Sequence, residues 1–136
     1  MQFVAHNWYL FLALAVVVFM LAYGSIRQLA FGVQRISTPE AVRLVNHEKA
    51  VIVDVREPDE YRSGHIPNAI NVPLSGFAGS LGQLQKYKSR PVIVCCRTSQ
   101  RSARAAVTLR QNQFANVQVL AGGIVGWQGD SLPVEK

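Results

Sequence analysis

Between Met1 and Ile26 the sequence contains no Lys, Arg, Asp or Glu. That absence excludes an ordinary surface helix there, because such a helix needs a polar face toward water. Cysteine is scarce too: the chain has two, adjacent at positions 95 and 96. Neighbouring Cα atoms lie about 3.8 Å apart, short of the usual disulfide span, so a bridge between them is strained. Two cysteines with no second ligand cluster also make a poor zinc site. The chain is therefore no disulfide-stapled secreted domain, in keeping with a reducing compartment. Basic residues exceed acidic ones, 14 to 8. Yet no basic run is interleaved with aromatics, which argues against nucleic acid as a partner. No internal repeat or low-complexity tract is present.

What the sequence does hold is 136 residues, room for one domain and an appendage, with 49% hydrophobic and 16% charged residues. The apolar excess is concentrated in Trp8–Ile26. As a helix those residues span about 28 Å, close to the hydrocarbon thickness of a bilayer. A secretory signal peptide is the rival reading, but it wants a basic segment first and a small-residue cleavage site after. No Lys or Arg precedes Trp8, and Gly24-Ser25-Ile26-Arg27-Gln28 offers no such site. An uncleaved anchor is expected, with Trp8, Tyr9 and Tyr23 at the interfaces. Arg27, Arg35 and Arg43 follow the helix, so the positive-inside rule places the C-terminal part in the cytoplasm. Arg27 and Arg35 are positioned to meet anionic headgroups of an inner membrane.

Residues 1–26 are thus read as a tail and transmembrane helix, 27–36 as a linker containing Gly32, and 37–136 as a folded domain. Ser37-Thr38-Pro39-Glu40 starts a helix with a cap, a first-turn proline and an early acid. Ala50–Val55 and Val92–Cys95 are unbroken apolar runs, as expected of strands buried on both faces. Shorter strands are predicted at Ala69–Val72 and Val117–Leu120. Helices are predicted near Glu57–Tyr61, at Leu81–Tyr87, at Ser102–Gln111 and around Trp127. This alternation predicts an α/β domain with a mainly parallel central sheet covered on both faces.

Chemistry gathers where a strand ends at Cys96 and a helix starts six residues later. Cys96-Arg97-Thr98-Ser99-Gln100-Arg101-Ser102 places a thiol in a loop of main-chain N–H groups at a helix N-terminus. There the dipole and neighbouring arginines favour the thiolate. Such a loop suits a cysteine nucleophile for anionic substrates, with Arg97 to attract an oxyanion. Strand alternation turns Cys95 the other way, into packing, with a resolving thiol as the sharper alternative. Arg104 and Arg110 read as solvated helix-face cations, His65 as a residue satisfying backbone groups, and Trp127 as core. His6 and His47 look incidental.

Three motifs then carry a family resemblance. Asp54-Val55-Arg56-Glu57, Tyr61 and Gly64-His65-Ile66-Pro67-Asn68-Ala69-Ile70-Asn71-Val72-Pro73 resemble the first signature of the rhodanese family. Cys96-Arg97-x-x-x-Arg101-Ser102-Ala103 resembles its active-site loop, and Gly122-Gly123-Ile124-x-x-Trp127 its closing signature. Together with the apolar helix they resemble the membrane-bound, single-domain proteins of that family in bacteria. The resemblance implies a three-layer rhodanese-like fold and sulfur transfer. Cys96 would take the outer sulfur of thiosulfate or a related donor and pass it to a thiol or cyanide. Residues Arg97, Thr98, Ser99, Gln100, Arg101 and Ser102 would surround the substrate, with no metal or organic cofactor. Asp54 and Arg101 would organise the loop, through a pairing of Arg101 with an acid such as Asp54 or through substrate contact. Related phosphatases carry five residues between cysteine and arginine; four stand here, a ring better sized for one sulfur atom. Ser99 occupies a position where the family usually has glycine, and a positive φ there would cost roughly 1 kcal/mol or more. A weakly catalytic module that docks a membrane protein is therefore the alternative to the enzyme.

Overall fold

The computed structural model describes residues 1–30 and 33–136. They fall into two compact units, residues 1–30 and 33–136. In the first, α1 (Gln2–His6) ends at Asn7, whose side-chain amide donates to the Phe3 carbonyl at 2.9 Å. Helix α2 (Trp8–Ala30) follows, and its stretch Trp8–Ile26 has a mean hydropathy of 2.3 with its apolar side chains exposed. The helix is long and apolar enough to cross a membrane. Gly32, assigned above to a linker, lies outside the described residues.

The second unit is the expected α/β domain. Strands β1 (Gln34–Ile36), β2 (Val51–Asp54), β3 (Ile70–Asn71), β4 (Val92–Cys95) and β5 (Val117–Leu120) form one parallel sheet in the order β1-β5-β4-β2-β3. Helices α3 (Thr38–Glu48), α4 (Pro58–Arg62) and α5 (Gln100–Gln111) make the crossovers together with 3₁₀ turns at Leu74–Gly76 and Ala78–Tyr87, and α6 (Gly123–Gly129) follows β5. Parallel neighbours cannot be joined by a hairpin, which is why an element intervenes between successive strands.

Alternation along the strands sorts the side chains onto two faces. Val53, Val55, Val94 and Val119 pack with Ala105, Ala106 and Leu109 of α5, with Leu81 and Leu84 of the second 3₁₀ segment and with Phe77 between the two. Ile52, Ile93, Cys95 and Leu120 pack on the other face with Ala41 and Leu44 of α3 and Ile124 and Trp127 of α6. This gives the three layers. Ser37 caps α3 by accepting from the Glu40 N–H at 3.4 Å, and Lys49, at φ 57°, ends it.

Two expectations change. The segment read as linker contains β1, which pairs with β5 from Gln34↔Gln118 to Ile36↔Leu120. Its sequence signal is weak because only Ile36 of the three residues is buried. Residues 81–87 belong to a longer 3₁₀ run beginning at Ala78 rather than to an α-helix. Gly79 and Gly82 lie within it, and glycine weakens α-helix by about 1 kcal/mol relative to alanine.

Candidate active site

β4 is the middle strand of the sheet, and Cys96 is the first residue beyond its carboxyl end. The chain then turns through Arg97–Ser99 into α5, two residues earlier than predicted. The Cys96 side chain, 1% exposed, faces the α5 side. Its Sγ accepts from the main-chain N–H of Ser99 at 3.1 Å and of Ser102 at 3.4 Å. Ser102 Oγ, also 3.4 Å away, sends its own hydrogen to the Ser99 carbonyl at 2.8 Å. The neutral thiol therefore donates to Ser102 Oγ, while an ionised sulfur keeps two N–H donors and a hydroxyl able to turn toward it.

Converging N–H groups require the loop carbonyls to turn outward, and buried carbonyls need partners of their own. α6 supplies them. The Ile124 N–H donates to the Cys96 carbonyl at 2.8 Å and the Val125 N–H to the Arg97 carbonyl at 3.2 Å. Approach this close depends on Gly123, at φ 55°, where an added Cβ would lie 2.3 Å from the Cys96 carbonyl oxygen. Ser99 sits at φ 136°, ψ −10°, in the region that favours glycine. The positive φ anticipated for this residue is present, and its strain is of the order of 1 kcal/mol.

The arginines separate by role. Arg101 makes a two-point ion pair with Glu60 of α4 at 2.8 and 2.9 Å, not with Asp54. Glu60 Oε2 also accepts the Glu57 N–H at 2.9 Å. The hydrogen bonds from Arg101 hold the Glu60 carboxyl down to about 2, against some opposition from burial. Asp54 is taken instead by Arg56, at 2.7 to 3.0 Å, and Arg56 continues to the Gly64 carbonyl at 2.8 Å. Arg97 is exposed, as are Thr98 and Gln100. Arg110 lies at the far end of α5 and donates to the Phe114 and Ala115 carbonyls, so it neither borders the loop nor stands merely solvated.

A cleft of about 320 Å³ opens beside the loop, lined among others by Arg56, Glu60, Gly64, Arg97, Ile124 and Val125. His65 is engaged elsewhere. Its Nδ1 meets the Tyr61 carbonyl at 2.9 Å, its ring stacks on Tyr61 at 3.7 Å, and its backbone bridges to Glu135. Cys95 belongs to the opposite core cluster, and burial first, then the Asp54 charge, pushes its thiol far up. Among the described residues no three His, Cys, Asp or Glu side chains group as metal ligands. Reasoning from sequence placed Glu60 in a short helix and Gly123 in the closing signature, and gave neither a part beside the cysteine loop. The available signals were an acid at the third position of a short helix and a Gly-Gly pair beginning another.

The model of the rhodanese-like domain family matches residues 37–130. The protein YibN of Escherichia coli strain K12, itself uncharacterized, is 37% identical over 135 residues, covering 98% of this chain and 94% of that one. A sulfurtransferase of Allochromatium vinosum is 34% identical over 92 residues, 68% of this chain and 84% of its own. A human single-domain sulfurtransferase superposes with a TM-score of 0.61 at 25% identity, covering 70% of this chain and 95% of that one.

Proposed function

The chain belongs to the rhodanese-like domain family, and from that premise we propose a membrane-tethered sulfurtransferase whose nucleophile is Cys96. The observation that carries this reading is the pair of main-chain N–H groups, from Ser99 and Ser102, directed at Sγ. Such donors favour a sulfur anion, whether it is the thiolate or the terminal sulfur of a persulfide. The Cys96 thiolate attacks the outer sulfur of thiosulfate. A Cys96–S bond forms, the donor's S–S bond breaks, and sulfite leaves with the electron pair. A thiolate or cyanide acceptor then attacks the outer sulfur of the persulfide, and Cys96 leaves as the thiolate. No net oxidation occurs and no cofactor enters. Arg97, exposed at the cleft, draws the doubly charged donor; Thr98 to Ser102 close around the sulfur. Arg101 braces α5 against α4 through Glu60, and Asp54 acts one step further out, through Arg56 and Gly64.

Trp8–Ile26 would serve as a single-pass anchor in a bacterial inner membrane, with the domain on the cytoplasmic side where small thiols are plentiful. A membrane-protein partner would fit the same location. The test is intact-protein mass measurement after exposure of the purified chain to thiosulfate. Wild type is expected to gain one sulfur on Cys96, and Cys96→Ser none. A wild type that stays unlabelled would leave the docking-module reading in its place.

A further inference from the structure

Because all five strands run parallel, their amino ends share one edge of the sheet and their carboxyl ends the other. The carboxyl edge holds Cys96, Asp54 and the acidic start of α4. At the amino edge the register sets Val51 beside Val92 and Val92 beside Val117, so the turns entering β2, β4 and β5 are neighbours. Those turns are basic. Lys49 precedes β2, Lys86, Lys88 and Arg90 precede β4, and Arg110 closes α5 ahead of β5. They are tied together: Arg90 Nε donates to the Lys49 carbonyl at 2.7 Å, and the Val51 N–H to the Pro91 carbonyl at 2.9 Å. Lys86 Nζ and Arg90 stand 5.2 and 5.3 Å from the Tyr87 ring centre, and Lys88 Nζ 5.6 Å from that of Phe114. Among the described residues, neither Lys49, Lys86, Lys88 nor Arg90 belongs to an ion pair. The one acid on these turns, Glu48, faces Arg43 at 3.6 Å.

We propose that this basic edge rests on the anionic phospholipid headgroups of the bilayer, an inference that depends on α2 being an anchor. Three arguments select lipid. First, β1 opens at Gln34 on this same edge, four peptide steps after Ala30, the last residue of α2. Four extended residues reach about 14 Å at most, so a bilayer holding α2 keeps the edge near its surface. Second, attraction between basic residues and an anionic leaflet is strong only within about one Debye length, roughly 8 to 10 Å, and tethering supplies that proximity at high effective concentration. Third, among the described residues Phe114 is buried and the cations cover Tyr87, so the turns entering β4 and β5 offer no exposed aromatic platform of the kind single-stranded nucleic acids need. Docked in this way, the domain turns Cys96, at the opposite edge, toward water, where small anions and thiols arrive.

The experiment uses the full chain in nanodiscs of phosphatidylcholine alone or with a third phosphatidylglycerol, and reads the acylation rate of each lysine. Lys49, Lys86 and Lys88 should be protected several-fold by phosphatidylglycerol and released by high salt. Substituting Lys86→Gln and Lys88→Gln should weaken the protection of Lys49, since each basic residue near an anionic surface is worth about fivefold in binding. Equal rates in both lipids would overturn the inference while leaving the anchor standing. Protection in native membranes but not in nanodiscs would also overturn it, in favour of a protein at this edge. Alkaline carbonate extraction and a reporter fused after Lys136 test the anchor itself. A chain that carbonate releases, or a reporter outside the cytoplasm, would sink both readings.

Discussion

At the end of β4 the two faces of the sheet hold neighbouring cysteines of equal burial and unlike surroundings. Cys95 and Cys96 are each 1% exposed. On the α3 and α6 face, Cys95 meets aliphatic side chains and its Sγ points at a carbonyl, that of Cys96, at 3.4 Å. A carbonyl can only accept, so this environment favours the neutral thiol, and burial drives it further that way. On the α5 face, Cys96 meets N–H donors from a loop whose carbonyls have been drawn off by α6. Burial is therefore common to both thiols. The direction of the surrounding main-chain dipoles separates the two thiols.

The contrast can be broken most severely at Gly123. Gly123→Ala puts a methyl group into the Cys96 and Arg97 carbonyls, and overpacking of this kind costs about 1 to 3 kcal/mol. We expect Cys96 to lose most of its sulfur loading in the mass measurement, because the loop N–H groups are no longer held inward. Cys95→Ala sharpens the comparison from the other face. Loading of Cys96 should persist, while chemical denaturation shows a loss of about 1 kcal/mol from the small cavity. Persulfide formation that failed in this variant would make Cys95 a participant rather than packing. Ser99→Gly should relieve the strain at φ 136° and stabilise by about 1 kcal/mol, read as a higher melting temperature.

The smallest effect is expected at Glu60. Its carboxyl is held at about 2 in the folded protein, below its ordinary value of 4.5. The stabilisation is therefore complete above about 4.5 and is lost as the pH falls toward 2. The pair is about a third exposed, so screening limits it to under about 1 kcal/mol. Glu60→Gln should flatten this part of the acid-unfolding curve; an unchanged curve would show that Arg101 braces nothing through Glu60.

The local part of this site was open to reading along the chain. A buried strand, a cysteine, four residues, an arginine and a helix lie within some twenty consecutive positions. Their order alone states that a thiol stands at a helix N-terminus at the carboxyl edge of a sheet. The strain at Ser99 was foreseeable only through the resemblance to a family that usually has glycine at that position. β1 was not, because three residues with one buried side chain carry too short a pattern to distinguish strand from linker.

By itself, then, the sequence determined the apolar helix, the parallel α/β alternation and the identity of the loop, all set by neighbours in the chain. Only the tertiary structure decided that Arg101 takes Glu60, 41 residues away, while Asp54 is consumed by Arg56. It alone brought α6 against the carbonyls of Cys96 and Arg97. Hydrogen bonds reach only about 3 Å and depend on direction, so which distant donor meets which acceptor is unknown until packing fixes both.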